Sequence, residues 1–340
     1  MSKRIILLTN LGSPDSLKLT DVRRYLNEFL MDKRVIDLPF LARFILVRGI
    51  ITPFRAPRSA AKYKKIWTEK GSPLILIAKQ LAEKVSALSG LPVYVSMRYG
   101  NPTPDSVLKK IAALHPDAEE LILFPLYPHY AMSSYETAVE HVKDSFKKGY
   151  FGFKLKVIPP YYDDRAYIVA LASSIESYLK TGTHDHLLFS YHGIPERHIL
   201  KSDRDAGHCL KSPNCCSVYS PSHENCYRHQ VLETTRLLAE RLRLPQDFYS
   251  ISFQSRLGRD KWLGPSTSEV LSQLPAHGVK NLLVVCPAFV SDCLETLEEI
   301  DMEGRETFLQ AGGVLYNTVP CLNSSDLWAE AVVKMVTSIP

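Results

Sequence analysis

The stretch LLVVCPAFVSDCLETLEE, residues 282–299, decides how the rest of the chain is read. A short run of leucine and valine ends at Cys286-Pro287, a loop follows, and Leu294-Glu295-Thr296 opens a helical pattern. The same order occurs earlier in LILFPLYPHYAMSSYETAVE, residues 121–140, where Tyr135-Glu136-Thr137 opens the helix. A strand, a loop and a helix repeated in two halves predict a duplicated unit.

Working outward, apolar runs predict strands at 4–9, 92–97, 120–125 and 154–158, then at 186–191, 248–254, 281–286 and 313–317. Helical patterns separate them, among them 73–89 and 226–242. Such alternation argues parallel sheets covered on both faces. The expected fold class is α/β, two Rossmann-like domains each with a four-stranded parallel sheet flanked by helices. Their expected bounds are 1–165 and 166–319, with 320–340 a C-terminal helix packing back on the first domain.

At 340 residues and 45% apolar content, the chain can bury two full cores. Basic residues number 41 and acidic ones 36, with no block of like charge, so no nucleic-acid partner is expected. The opening MSKRIILLTN lacks the apolar region and cleavage site of a signal peptide. The longest apolar candidate, 38–54, is broken by Arg43 and Arg48 and does not reach spanning length. A soluble, cytoplasmic protein is expected. Neither half contains G-x-G-x-x-G or a P-loop, so no nucleotide cofactor is expected; TNLGSP (9–14) offers a single glycine after the first strand.

Ligands of open parallel sheets gather beyond the carboxyl ends of the strands. LLFSYHGIPERH (187–198) places His192 at such an end, before Gly193 and Pro195. A lone histidine is as often structural as functional, and the strand end favours function. Asp292, Glu295, Glu299 and Glu303 follow helical spacing and would form one acidic stripe. Most such stripes are solvated faces, but this one starts beside a strand end, where carboxylates suit a cation or proton path. SFQSRLGRDKWLGPST (252–267) and VSMRYGNPTP (95–104) each set an aromatic ring, Trp262 or Tyr99, near an arginine. That combination suits a flat apolar ligand carrying carboxylates. In 38–57, apolar residues are interleaved with Arg43, Arg48 and Arg55. The segment reads either as a core helix or as a lip for a hydrophobic substrate or a membrane surface.

Cys209, Cys215, Cys216 and Cys226 crowd one insertion, 207–230, with turn-forming Pro, Ser and Asn between them. In a cytosolic chain this density points to metal rather than disulfides. Structural zinc sites pair cysteines two to four residues apart, which these do not all do. The irregular spacing suits a [2Fe–2S] cluster, whose irons take two thiolates each. Zinc and uncommitted thiols remain the alternatives, and His208 and His223 are spare ligands. Cys286, Cys293 and Cys321 belong to other elements.

Taken together, NLGSP, MRYGNP, SYHGIPERH, FQSRLGRDKWLGP and SDCLETLEEID closely resemble the ferrochelatases, in order and over nearly the whole chain. The resemblance implies a lyase inserting Fe2+ into protoporphyrin IX, the last step of haem synthesis, in a porphyrin cleft between two Rossmann-like domains. It implies that His192 and Glu295 are catalytic and meet the iron, with Asp292 and Glu299 relaying protons or metal. It places Leu11, Arg55, Arg98, Tyr99, Tyr130, Ser133 and Trp262 against the porphyrin, with 38–57 as the lip. Some microbial relatives carry a [2Fe–2S] cluster, which favours that reading of the four cysteines. Many relatives have His where this chain has Cys293. Protoporphyrin IX and Fe2+ are the expected partners, with a peripheral membrane contact compatible and a monomer or homodimer expected. The competing readings are a coproporphyrin III or other tetrapyrrole chelatase, and a non-enzymatic iron–sulfur sensor on a chelatase fold.

Overall fold

The structure, a computed structural model, describes residues 3–205, 207–256 and 260–339. Leu257, Gly258 and Arg259 of the FQSRLGRDKWLGP stretch lie outside the described residues. Two parallel sheets organise the chain. The first contains β1 (Arg4–Gly12), β2 (Val93–Tyr99), β3 (Glu120–Pro125) and β4 (Lys154–Val157), in the order β2-β1-β3-β4. The second contains β5 (His186–His192), β6 (Tyr249–Gln254), β7 (Asn281–Val285) and β8 (Leu315–Thr318), in the order β6-β5-β7-β8. The two orders are the same when each sheet is counted from its own first strand, so the repeat read at 121–140 and 282–299 is a repeat of topology. Their third strands, β3 and β7, each lead into a π-helix, Met132–Glu136 and Glu295–Gly304.

The central strands are buried because their runs carry no charge to solvate: Ile5 to Leu8 in β1 and Leu187 to Phe189 in β5 are almost wholly inaccessible. Local chemistry sets the helix ends. Pro73 opens the helix Pro73–Ser89, where its missing N–H costs nothing, and Gly90 closes it in the left-handed region at φ +68°. Asp164 accepts from the backbone N–H groups of Ala166 and Tyr167 and starts the helix Arg165–Leu179.

The chain divides into two compact units. One comprises 1–126, 132–159 and 324–340; the other comprises 127–131 and 160–323. The C-terminal helix Asp326–Thr337 belongs to the first, where Trp328 packs edge-on against Phe124 of β3 at 6.1 Å. Among the described residues, no helix is long and apolar enough to cross a membrane.

Candidate active site

His192 is the last residue of β5, half-buried, where the strand opens into Gly193. Its Nδ1 lies 2.7 Å from the Gly193 carbonyl oxygen, which can only accept, so Nδ1 carries the proton. In the neutral ring this leaves the Nε2 lone pair available, and Phe289 lies 6.1 Å away, tilted against the ring. The 192–193 peptide is held at both ends: the Tyr227 hydroxyl donates to the His192 carbonyl at 2.8 Å, and the Gly193 N–H donates to the Gln254 carbonyl at 2.8 Å. Gly193 has to be glycine, since a Cβ there would sit 2.7 Å from the Gln254 oxygen and 3.3 Å from the Trp262 ring. Trp262 therefore lies beside the histidine turn, fixed by a backbone bridge to Pro195 and by the Leu263 N–H on the Ile194 carbonyl.

The acidic stretch that follows β7 is a π-helix rather than an α-helix. With i→i+5 bonding, residues four and five apart share a face, so Glu295, Glu299 and Glu303 remain a stripe. The Tyr316 hydroxyl donates to the Ile300 carbonyl at 2.7 Å, and Gly304 makes room for it. Ile300 and Phe308 pack with Leu188, Leu282 and Val284 of the sheet, which anchors the helix. Glu295 is half-buried and accepts from the Cys293 thiol. Burial, then the Glu295 charge, hold that thiol well above its usual pKa, so it stays a protonated donor. Glu299 accepts from the Ser255 hydroxyl at 2.7 Å. Ser255 follows directly on β6 and takes φ +67°, an uncommon conformation for a residue with a side chain.

Asp292 departs from the expected stripe. It precedes the helix, is 8% exposed, and accepts from Thr296 Oγ1 at 3.0 Å, Asn323 Nδ2 at 2.6 Å and the Cys321 N–H at 3.3 Å. A carboxylate engaged in this way clamps the start of the helix to the 321–323 loop and is poorly placed to relay ions.

In the other unit, Arg98 and Tyr99 end β2 and converge on Asp32. Asp32 accepts from Arg98, Thr137 and the Tyr99 hydroxyl, and from the Arg34 N–H at 2.8 Å. Burial pushes the Asp32 carboxyl up, but these partners outweigh it and hold the pKa below the usual range. Tyr99 is 1% exposed, so it acts by supporting Arg98, whose guanidinium lies 4.3 Å over its ring. Leu11 and Ser133 are half-buried, as is Tyr130 in its own unit, while Arg55 is exposed.

Most of the apolar residues of 38–57 are exposed, although Val47 and Ala56 are fully buried. Phe40, Leu41, Phe44, Ile45, Ile50 and Phe54 are all exposed, Phe40 at 66% and Phe54 at 72%. Arg43 is the exception among the interleaved arginines: it is buried and donates to the carbonyls of Ile36 and Leu38.

Four thiols neighbour one another in 207–230. Cys215 and Cys216 Sγ are 3.9 Å apart, and Cys226 is hydrogen-bonded to both Cys216 and Cys209. Donation from Cys216 lowers the Cys226 thiol to about 6 against the opposing effect of burial. Cys209 is raised by burial and by Cys226, and Cys216 by its bond to Cys226 and by burial. Arg228 Nη1 approaches the Cys215 and Cys216 sulfurs at 3.4 and 3.7 Å. His208 and His223 both direct Nε2 at the Cys215 carbonyl, so those two nitrogens are spent as donors. Among the described residues, no three His, Cys, Asp or Glu side chains are arranged to hold one metal ion as they stand. Two neighbouring thiol pairs, one member already acidic and a guanidinium alongside, fit the donor set of a two-iron cluster.

The ferrochelatase family model matches residues 3–339. The chain belongs to the ferrochelatase family. A ferrochelatase of Opitutus terrae is 50% identical over 339 residues, covering 99% of this chain and 97% of that one. Those of Ectopseudomonas mendocina and Porphyromonas gingivalis are each 45% identical, covering 100% and 97% of this chain and 99% and 95% of theirs. In fold the chain is similar to SirB from Bacillus subtilis, solved with Fe3+: TM-score 0.55, 14% identity, 98% of this chain and 94% of that one. As a member of that family, the chain inserts ferrous iron into porphyrin in haem biosynthesis. Tyr227 and Ser255 escaped the sequence reading, because their contacts join residues far apart in the chain and leave no periodic trace.

Proposed function

We propose that the porphyrin is protoporphyrin IX and that His192 and Glu295 carry the reaction. Metallation removes two pyrrole protons while the nitrogen lone pairs, hidden in a flat ring, are exposed to iron. The observation that carries this reading is the His192 tautomer, with Nδ1–H spent on the Gly193 carbonyl and Nε2 left to accept a proton or meet Fe2+. Glu295 takes the complementary role. Glu299, bonded to Ser255, continues the acidic path along the π-helix. Arg98, paired with Asp32, is among the proposed porphyrin contacts, and Trp262 offers a flat face beside Gly193. Leu11, Arg55, Tyr130 and Ser133 complete the proposed contacts. The exposed apolar residues of 38–57 serve as the porphyrin lip and as a peripheral membrane contact.

Cys209, Cys215, Cys216 and Cys226 would hold a [2Fe–2S] cluster, which supplies a one-electron redox centre when bound. The thiols themselves staple the insertion to the helix Tyr227–Leu242, with Arg228 reaching the sulfurs of Cys215 and Cys216.

The test is anaerobic Fe2+ insertion into protoporphyrin IX against coproporphyrin III, alongside iron and acid-labile sulfide analysis of the purified protein. Haem bands with protoporphyrin and equimolar iron and sulfide are expected. A preference for coproporphyrin defeats the substrate assignment, and one zinc without sulfide defeats the cluster.

A further inference from the structure

The first turn of the helix Tyr227–Leu242 joins the cysteine-rich insertion to the histidine turn. Cys226 precedes that turn and is bonded to two of the other thiols. Arg228 reaches the sulfurs of Cys215 and Cys216, and His229 Nδ1 donates to the Cys216 carbonyl at 2.9 Å. Between them, Tyr227 points the other way and donates to the His192 carbonyl. Its ring is 4% exposed and set edge-on against His129 at 5.9 Å, which itself stands edge-on to Tyr191 at 5.6 Å. A ring held like this aims its hydroxyl in one direction. Burial raises the phenol pKa, so the hydroxyl remains a donor.

The consequence lies in the 192–193 peptide. Tyr227 fixes its carbonyl and Gln254 fixes its N–H, so the plane cannot rotate without losing a buried hydrogen bond. The Gly193 carbonyl, which the imidazole meets, belongs to the next peptide, so this clamp fixes the start of the turn that carries it. We infer that Tyr227 is a positioning residue for His192, and that through its neighbours Cys226 and Arg228 the state of the thiols reaches the direction of Nε2. The inference rests on His192 being the reacting imidazole, and not on which metal group the thiols hold.

The test uses the full chain and anaerobic Fe2+ insertion into protoporphyrin IX. Tyr227→Phe keeps the ring and removes one hydrogen bond. The kcat is expected to fall roughly tenfold with the porphyrin KM unchanged. Nitrogen-15 histidine spectra are expected to lose the single Nδ1–H tautomer at His192. Tyr191→Phe, which removes a neighbouring buried hydroxyl bonded to Thr235, is expected to leave both readouts at the wild-type value. Cys226→Ser is expected to lower kcat in the wild-type background and by a much smaller factor in Tyr227→Phe, the non-additivity of a shared path. Wild-type kcat and tautomer pattern in folded Tyr227→Phe overturn the inference. If that variant does not fold, Cys226→Ser decides: a shifted His192 signal supports the coupling and an unchanged one overturns it. Full turnover by His192→Ala defeats the underlying assignment instead, whatever Tyr227→Phe does.

Discussion

An imidazole serves a proton or a metal only through a nitrogen with a lone pair to give, and the neighbour of the other nitrogen decides which that is. At His192 the deciding neighbour is the Gly193 carbonyl, one residue away, so the tautomer is written into the local sequence. The position of His192 at the end of β5 was legible from its apolar run, and that of Glu295 from its helical spacing with Glu299 and Glu303. Asp292 was not, because its partners Asn323 and Cys321 come from a distant loop. The two acids therefore answer differently to neutralisation. Asp292→Asn is expected to cost about 1–3 kcal/mol of stability by leaving donors on Thr296 and Asn323 poorly matched. Thermal unfolding checks this, and the folded fraction is expected to keep most of its kcat. Glu295→Gln is expected to show the reverse, with an unchanged melt and little turnover.

Strands declare themselves by short unbroken apolar runs, and all eight were readable to within a few residues. The π-helices were not, since i→i+5 and i→i+4 bonding place much the same residues on a face; in Glu295–Gly304 the Tyr316 hydroxyl also reaches the Ile300 carbonyl past Gly304. The segment 38–57 was ambiguous for a related reason. Mixed apolar and basic residues fit a core helix or an exposed lip, and only the exposure of Phe40 and Phe44, 66% and 38%, separates the two. Side chains already in water lose little when made polar. The double change Phe40→Ser and Phe44→Ser is thus expected to shift stability by less than about 1 kcal/mol. It is also expected to raise the porphyrin KM several-fold. Calorimetry and steady-state kinetics on the same preparation check both, and a collapsed melt with unchanged KM would return the segment to the core.

Among the described residues, buried His129 is one group that ties stability to pH. His129 is 3% exposed, and burial pushes its pKa down from 6.5 to about 3. The folded state thus refuses a proton that the unfolded chain accepts. Its contribution is fully present above pH 6.5 and is lost progressively as pH falls from there towards 3. The loss amounts to on the order of 4 kcal/mol at the bottom of that window. His129→Gln is expected to flatten this dependence while leaving stability at pH 8 within about 2 kcal/mol of the wild type; melts at a series of pH values check it. The proposed reaction turns on His192 at the end of β5. Single-turnover anaerobic Fe2+ insertion into protoporphyrin IX, run for the wild type and His192→Ala side by side, tests it most directly. The account predicts haem bands from the wild type and none above the protein-free rate from His192→Ala, with both proteins melting alike. Haem formed at the wild-type rate by His192→Ala would contradict it.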